Sequence, residues 1–357
     1  MSLGRFHTLA VADVRRETAD AVSVALAVPE TLRDEFAYVP GQYLTLRTHL
    51  DGEELRRSYS ISSGLDDGEL RVAIKRVEGG RFSEWANDRL RAGDPVEVMP
   101  PAGRFTVPLD TAAARSYAGF AAGSGITPVI AILRSVLARE PHSRFSLFYG
   151  SRSTSQILFR EALEDLKDRF LGRLSVFHVL SREQQDVPVL NGHLDAGKVR
   201  AITRAMLPAR GIDHAFICGP AAMIDEVSAA LAEAGVPPGR IHSERFSTGA
   251  PAVPRLRRAA VADAPHAVAT IVADGVRAAV PVAEGETVLD AALRAGLDLP
   301  YSCRGGMCST CRARVADGAV RMDVNYGLEP WETEAGYVLT CQAHPTTPRV
   351  TVDYDHV

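Results

Sequence analysis

The sequence has no excess of positive charge. Its 357 residues include 40 Lys and Arg against 44 Asp and Glu, which gives a formal net charge of -4. A protein that binds nucleic acid through a broad basic surface has the opposite balance, so no nucleic-acid partner is expected. The first residues lack the basic and apolar segments of a signal peptide, and no apolar run approaches the roughly eighteen residues of a membrane span. We therefore expect a cytoplasmic protein without a membrane partner.

Cysteine is scarce, and its distribution excludes a further class. There are five cysteines, an odd number, and three of them fall within residues 303–311. Secreted disulfide frameworks usually contain an even number, whereas a close cluster in a reducing compartment more often binds metal. The length of the chain suits two or three domains, each able to bury a core.

Two patterns of secondary structure follow one another before residue 248. Residues 1–108 contain short strands broken by Gly, Asp and Pro, which predicts a small antiparallel β-barrel. Residues 109–247 alternate strands with amphipathic helices, which predicts a parallel, Rossmann-like α/β sheet with ligands at the carboxyl ends of its strands. Together with the C-terminal segment, this predicts a multidomain protein of α+β and α/β class.

The remaining chain divides into a linker and a third domain. Residues 248–266 contain three prolines and three arginines with little apolar periodicity, which predicts an interdomain linker. In residues 267–357, Asp274-Gly275 joins two alternating strands as a predicted type I′ turn. Thr287 is predicted to cap a helix that stops at Gly296, with Asp290 as its capping-box partner. A hairpin, a helix and a cysteine loop in this order predict a β-grasp fold.

The cysteine spacing points to one kind of metal site. Cys303, Cys308 and Cys311 are separated by four and two residues, and 29 further residues separate Cys311 from Cys341. This is the plant-type ferredoxin arrangement, in which four thiolates hold a [2Fe-2S] cluster that carries one electron. Zinc sites usually pair their cysteines twice at short spacing, so a structural zinc site is an alternative, as are unrelated core thiols.

Other segments offer groups that suit nucleotide cofactors. Residues 57–60 place a guanidinium, an aromatic ring and hydroxyls on one strand, and residues 79–83 open a helix where backbone N–H groups favour a pyrophosphate. Residues 123–128 follow a strand and open a helix, with Thr127 as the predicted N-cap, but the third glycine of the dinucleotide fingerprint is missing. Residues 218–220 end a later strand. Taken singly, each also fits a packed strand, a helix-entry turn or a buried thiol.

In this order, the four segments followed by the cysteine pattern resemble ferredoxin-NADP reductase-type oxidoreductases fused to a C-terminal plant-type ferredoxin, over essentially the whole chain. The resemblance implies FAD, a nicotinamide nucleotide and a [2Fe-2S] cluster, and electron transfer to an oxygenase partner. Residues 301–350 are most similar to the reductases that serve the diiron phenylacetyl-CoA epoxidase of phenylacetate catabolism. Reductases of other aromatic-ring oxygenases share the three modules, and an electron carrier or sensor without hydride transfer is the alternative from a different class.

The resemblance also implies roles for individual residues, none of them in acid–base catalysis. Arg57 would pair with the flavin phosphates and Tyr59 would stack on the isoalloxazine ring. The other positions implied for FAD are Ser58, Ser60, Ile74, Lys75, Gly80, Arg81, Phe82 and Ser83. Those implied for the nicotinamide domain are Gly123, Gly125, Ile126, Thr127, Ser151, Arg152, Cys218, Gly219, Pro220, Glu244 and Phe246.

Two charge patterns predict what this protein binds. Ser151 and Arg152 offer a hydroxyl and a bidentate guanidinium after the strand at 145–149, with no acidic residue there to accept ribose hydroxyls. This favours NADPH, with NADH as the alternative. Residues 267–357 contain twelve acidic residues, seven arginines and no lysine, so we expect this acidic domain to dock on a basic face of the oxygenase.

Overall fold

The computed structural model describes residues 5–246 and 266–356. The predicted linker, apart from His266, lies outside these described residues. Within the two ranges, no helix is both long and apolar enough to cross a membrane.

The N-terminal part is an antiparallel β-barrel, as predicted. The order of its strands is β4-β3-β6-β1-β2-β5, and a bridge between Ile61 and Val72 joins the end of β4 to β5 and closes the sheet. Alternating apolar residues such as Leu44 and Leu46 point into its core. The elements are β1 (His7–Thr18), β2 (Ala21–Ala27), β3 (Tyr43–Leu50), β4 (Glu53–Ser60), β5 (Leu70–Lys75), α1 (Arg81–Asp88) and β6 (Pro95–Val98).

The middle part is the predicted parallel sheet, with strand order β11-β10-β7-β8-β9. From β7 the chain continues to β8 and β9 on one side of β7, and then crosses to β10 and β11 on the opposite side. The strand order therefore reverses at β7. A crevice for a ligand lies at the carboxyl ends of β7 and β10 in such a sheet. The elements are β7 (Ser116–Ala122), α2 (Ile126–Arg139), β8 (Arg144–Ser151), α3 (Arg160–Arg169), β9 (Leu174–Leu180), α4 (Ala196–Ala205), β10 (His214–Gly219), α5 (Ala221–Glu233) and β11 (Ile241–Arg245).

The C-terminal part has the predicted ferredoxin fold. Its main sheet has the order β13-β12-β18-β14-β16, in which β12 and β18 run parallel, and β15 pairs with β17 in a second, two-stranded sheet. The elements are β12 (Ala267–Ala273), β13 (Val276–Val282), α6 (Val288–Arg294), β14 (Arg312–Asp317), β15 (Val320–Met322), α7 (Pro330–Glu334), β16 (Tyr337–Leu339), β17 (Ala343–Pro345) and β18 (Arg349–Asp353).

The local predictions in this domain are largely confirmed. Asp274 and Gly275 both have positive φ, 49° and 73°, as a type I′ turn requires. The hydroxyl of Thr287 accepts a hydrogen bond of 3.1 Å from the N–H of Asp290 and caps α6. The capping box is wrong, because the Asp290 carboxylate forms an ion pair with Arg304 of the cysteine loop instead.

Candidate cofactor-binding site

β4 carries the aromatic ring and one guanidinium predicted for a flavin. Leu55 and Tyr59 pack with the barrel core, and the half-buried Tyr59 ring lies 5.6 Å from the ring of Phe82. Arg57, which lies between these two residues in sequence, is exposed. Its Nη1 donates to the carbonyl of Arg56 at 2.8 Å, and it forms no ion pair with any described residue. A free guanidinium beside an aromatic face is the donor set that the phosphate and ring of FAD require.

The entry to α1 is built around a glycine. Gly80 occupies the N-cap position, and a Cβ there would lie 2.7 Å from the Ser83 hydroxyl and 2.9 Å from the Val77 carbonyl. The Ser83 hydroxyl accepts from the Val77 N–H at 3.0 Å and donates to the Gly80 carbonyl at 2.9 Å, so it holds the turn. The free N–H groups of the first helical turn therefore remain to face a pyrophosphate.

The other positions predicted for the flavin either pack in the barrel core or form ion pairs with acidic residues. Ile74 and Phe82 are buried in the barrel core. Arg81 forms ion pairs with Asp51 and Glu53 in the β3–β4 hairpin, and the ammonium of Lys75 lies 3.5 Å from the Asp20 carboxylate.

The loops after β7 and β10 touch at the predicted nicotinamide crevice. A Cβ at Gly125 would lie 2.1 Å from the Cys218 carbonyl oxygen and 2.9 Å from the Gly219 nitrogen, so only glycine allows this approach. Cys218 is fully buried, and burial raises the pKa of its thiol well above the usual value, so it is protonated. Pro220 follows as the N-cap of α5.

The predicted helix cap in this crevice is wrong. A 3-10 turn spans Gly123–Gly125, and α2 begins at Ile126 with Gly125 as its N-cap. Thr127 lies inside the first turn, buried, and its hydroxyl donates to the Ser124 carbonyl at 2.9 Å. Because the 3-10 turn continues directly into α2, the helical bonding begins before Thr127.

Glu244 on β11 links the barrel to the parallel sheet. The hydroxyl of Ser60 donates to its Oε2 at 3.1 Å, and Cys218 is its neighbour in the β10–β11 register. Burial raises the pKa of Glu244 to about 8, although the Ser60 hydrogen bond acts in the opposite direction. Phe246 packs against the core of the parallel sheet. The sequence-predicted residues Ser60, Cys218 and Glu244 thus lie together where the barrel meets the parallel sheet.

A second arginine, missed in the sequence, lies beside the predicted phosphate-binding pair. Ser151 is buried at the end of β8, and Arg152 is exposed without an ion pair in the described ranges. Arg182, two residues past the end of β9, donates its N–H to the Arg152 carbonyl at 2.8 Å and also has a free guanidinium among the described residues. Neighbouring Glu183 is engaged by the N–H and hydroxyl of Thr154, each at 2.7 Å. Arg152 is predicted because it follows the end of a parallel strand, and the same criterion applied to β9 indicates Arg182.

The four clustered cysteines converge as two pairs. The N–H of Cys303 lies 3.5 Å from the Cys308 sulfur, and the N–H of Cys308 lies 3.4 Å from the Cys303 sulfur. A hydrogen bond with the Cys308 thiol, together with backbone N–H groups that include that of Gly305, lowers the pKa of Cys303 to about 5. The thiols of Cys311 and Cys341 form the second pair.

This arrangement fits two iron ions better than one zinc. A structural zinc site needs four ligands around a single point. Two thiol pairs, with backbone N–H groups and the Gln342 amide directed at their sulfurs, match the soft, hydrogen-bonded donor set of a [2Fe-2S] cluster.

A separate cavity of about 540 Å³ lies between the barrel and the parallel sheet. Arginines and acidic side chains line it together, and none of the predicted cofactor residues does. Its lining includes Thr154, which binds Glu183 next to Arg182.

Comparison with protein-family models identifies three consecutive domains. Residues 9–107 match the oxidoreductase FAD-binding domain and residues 120–229 match the oxidoreductase NAD-binding domain. Residues 271–346 match the 2Fe-2S iron-sulfur cluster binding domain.

Whole-chain comparisons give relatives that match this chain over nearly its full length. The chain is 46% identical over 351 residues to one subunit of the 1,2-phenylacetyl-CoA epoxidase of Escherichia coli (strain K12), and the match covers 98% of each. It is 38% identical to the ferredoxin reductase component of 3-ketosteroid-9-alpha-monooxygenase from Rhodococcus rhodochrous, over 97% of this chain and 96% of that protein. The fold matches phthalate dioxygenase reductase with a TM-score of 0.58 and 24% identity over 98% of both chains.

Proposed function

This chain belongs to the family of NAD(P)H-dependent reductase components of multicomponent oxygenases, and on that basis we propose that it passes electrons from NADPH through FAD and its [2Fe-2S] cluster to a phenylacetyl-CoA epoxidase. The observation that carries the proposal is the 46% identity with one subunit of such an epoxidase over 98% of both chains. Free thiols for iron persist in a reducing compartment, so we infer a cytoplasmic location.

The residues of the chain bind and orient the cofactors. Bound FAD would supply the conversion of one hydride, which is two electrons and a proton, into two single electrons. Arg57 and the N-terminus of α1 hold phosphate charge, and Tyr59 offers its ring to the flavin. The contact between Gly125 and Cys218 shapes the crevice that orients the nicotinamide. The two thiol pairs provide the exit for single electrons.

We assign the preference for NADPH to a pair of arginines. Arg152 and Arg182 follow adjacent strands of the parallel sheet and are bonded through their backbones at 2.8 Å. Both guanidiniums lack an ion pair in the described residues, while the nearby Glu183 is occupied by Thr154. A phosphate on the ribose suits two free guanidiniums, whereas a free ribose hydroxyl pair would need an available carboxylate.

Single alanine substitutions at these arginines test the preference for NADPH. We expect R152A and R182A each to raise the KM for NADPH about tenfold or more, because a charge-assisted hydrogen bond contributes about 1.5–3 kcal/mol. The KM for NADH should change less than twofold. R200A, which removes an exposed arginine paired with Glu233 in the same domain, is the control. Equal effects on both nucleotides would contradict the assignment.

An anaerobic titration with NADPH tests the relay itself. We expect bleaching of the flavin absorbance followed by bleaching of the cluster absorbance. If NADPH fails to bleach the flavin, the protein is an electron carrier or sensor without hydride transfer. The colourless, zinc-stabilised alternative would show no visible absorbance.

Turnover with purified oxygenases tests the partner. The proposal expects coupled NADPH oxidation with a phenylacetyl-CoA epoxidase and little with a 3-ketosteroid monooxygenase, the second candidate suggested by a relative at 38% identity. The C-terminal domain is acidic, so the coupled rate should fall as salt rises. Faster coupled NADPH oxidation with the steroid monooxygenase would contradict the proposed partner.

A further inference from the structure

β4 presents its two faces to different parts of the molecule. Successive side chains on a strand point to opposite sides. Arg57 and Tyr59 therefore lie on one face and Arg56 and Ser58 on the other, although all of them except Arg56 are positions predicted for FAD. That second face is covered by residues 298–302, the segment of the C-terminal domain directly before the first cluster cysteine.

Arg56 is the most extensively bonded residue of this contact. Its side chain is only 5% exposed, and its guanidinium donates to the Leu299 carbonyl at 3.3 Å and to the Asp298 carboxylate at 3.2 Å. Its Nε donates to Glu54 of the same strand at 2.7 Å. The guanidinium also lies 4.1 Å from the centre of the Tyr301 ring. One arginine thus joins the two domains through hydrogen bonds, an ion pair and a cation–π contact.

Neighbouring residues extend the contact along the strand. The Tyr301 hydroxyl donates to Glu54 at 3.1 Å, and the Ser58 hydroxyl donates to that of Ser302 at 2.9 Å. Ser302 is 4% exposed and directly precedes the cluster ligand Cys303. The contact therefore holds the chain at the point where it enters the cysteine loop.

The adjacent strand β3 reaches the cysteine loop itself. The hydroxyl of the buried Tyr43 donates to the carbonyl of Cys308 and lies 2.9 Å from the hydroxyl of Thr310. Thr310 in turn donates to the Cys308 sulfur at 3.1 Å. Since Tyr43 pairs with Ser60 across β3 and β4, the cluster loop rests on β3 and on β4, the strand that carries the predicted flavin residues 57–60.

We propose that Arg56 is a positioning residue that seats the cluster loop against β3 and β4 and thereby sets the rate of electron transfer from flavin to cluster. In that step one electron leaves the reduced flavin and reduces one ferric ion of the cluster to ferrous, and no bond forms or breaks. Electron tunnelling weakens as donor and acceptor move apart, so a displaced loop slows this step. The inference rests on the proposed function and deepens it.

The alternative is that Arg56 only stabilises the fold. A stabilising residue would affect all steps or none, whereas a positioning residue affects the one step that crosses the domain contact. Replacement of Arg56 by Met keeps much of the apolar stem and removes the charge and all its hydrogen bonds. The holoenzyme of R56M is then compared with the native protein by anaerobic stopped-flow absorbance after mixing with NADPH.

The expected result is a split between the two steps. Bleaching of the flavin by NADPH should stay within twofold of the native rate, and reduction of the cluster by the flavin should slow at least tenfold. Hydrogen exchange of the backbone at residues 298–302 should increase, and the potential of the cluster should not change. Cluster reduction within twofold of the native rate, with native exchange at 298–302, would overturn the inference.

Further variants cover the case in which R56M does not retain its cluster. D298N changes a side chain that is 72% exposed, and Y43F removes one hydroxyl, so both are expected to fold. Each should slow the flavin-to-cluster step by about two- to fivefold, and native rates in both would overturn the inference. R200M is the matched control, because Arg200 is an exposed, paired arginine distant from this contact in the fold. Absence of NADPH bleaching in the native protein would refute the proposed function instead.

Discussion

Replacing Gly125 with alanine should disable hydride transfer and leave the cluster intact. The φ and ψ of Gly125 are -62° and -10°, which alanine adopts readily, so the substitution adds no backbone strain. The added Cβ would lie 2.1 Å from the Cys218 carbonyl oxygen, where real contacts stay above 3.0 Å. The two loops must therefore separate by at least about 0.9 Å, which is the difference between these two distances.

The expected loss follows from this displacement. A misplacement of about 1 Å between reacting groups costs about a hundredfold in rate. We expect G125A to show about hundredfold slower flavin bleaching by saturating NADPH in anaerobic stopped-flow measurements. Overpacking should also lower the free energy of unfolding by about 1–3 kcal/mol. The visible spectrum of the cluster should be unchanged, because its ligands belong to another domain.

A second glycine supplies the control. Gly211 belongs to the same domain, has ordinary φ, and a Cβ there would meet no atom within 4 Å. G211A should therefore bleach at the native rate. A native rate in folded G125A with full flavin content would refute the reasoning that these loops form the nicotinamide site.

Three further predictions concern the polar contacts around the cofactor sites. Thr310→Val removes the donor to the Cys308 sulfur, so the reduced cluster loses stabilisation and its midpoint potential should become more negative by redox titration; an unchanged or higher potential would contradict this. The raised pKa of Glu244, from 4.5 to about 8, means that its contribution to stability is present below about pH 4.5 and lost as the pH rises through 8. Glu244→Gln should flatten the fall of the thermal midpoint between pH 5 and 8, and an identical slope would count against it. Tyr354→Phe removes a buried hydroxyl that donates to Thr340 at 2.7 Å, close in sequence to the ligand Cys341. Urea unfolding should show a free energy of unfolding that is lower by about 1–3 kcal/mol.

The sequence predicts best what depends on local spacing. The Cys303–Cys308 pair, the Asp274-Gly275 turn and the Thr287 cap are determined by residues close in the chain, and the structure places each as expected. The three domain types could also be predicted, because their strand and helix periodicities differ.

Contacts between distant segments could not be predicted from spacing. Asp290 suits a capping box, but Arg304 competes for its carboxylate across the domain. The predicted role of Ser58 in the flavin site is untested, and its hydroxyl points to Ser302 of another domain. Strand alternation places the adjacent Arg56 and Arg57 on opposite faces, but only the structure shows that residues 298–302 cover the Arg56 face.

The central position of β18 ties the cysteines to the sheet. Its pairing with β12 joins Val268 to Arg349, 81 residues apart, and all four clustered cysteines lie within the loop of chain that this pairing closes. Closing so long a loop costs conformational entropy, which the folded domain must offset. Because a bound metal group stabilises the folded state, loss of the cluster should weaken this long-range pairing as well.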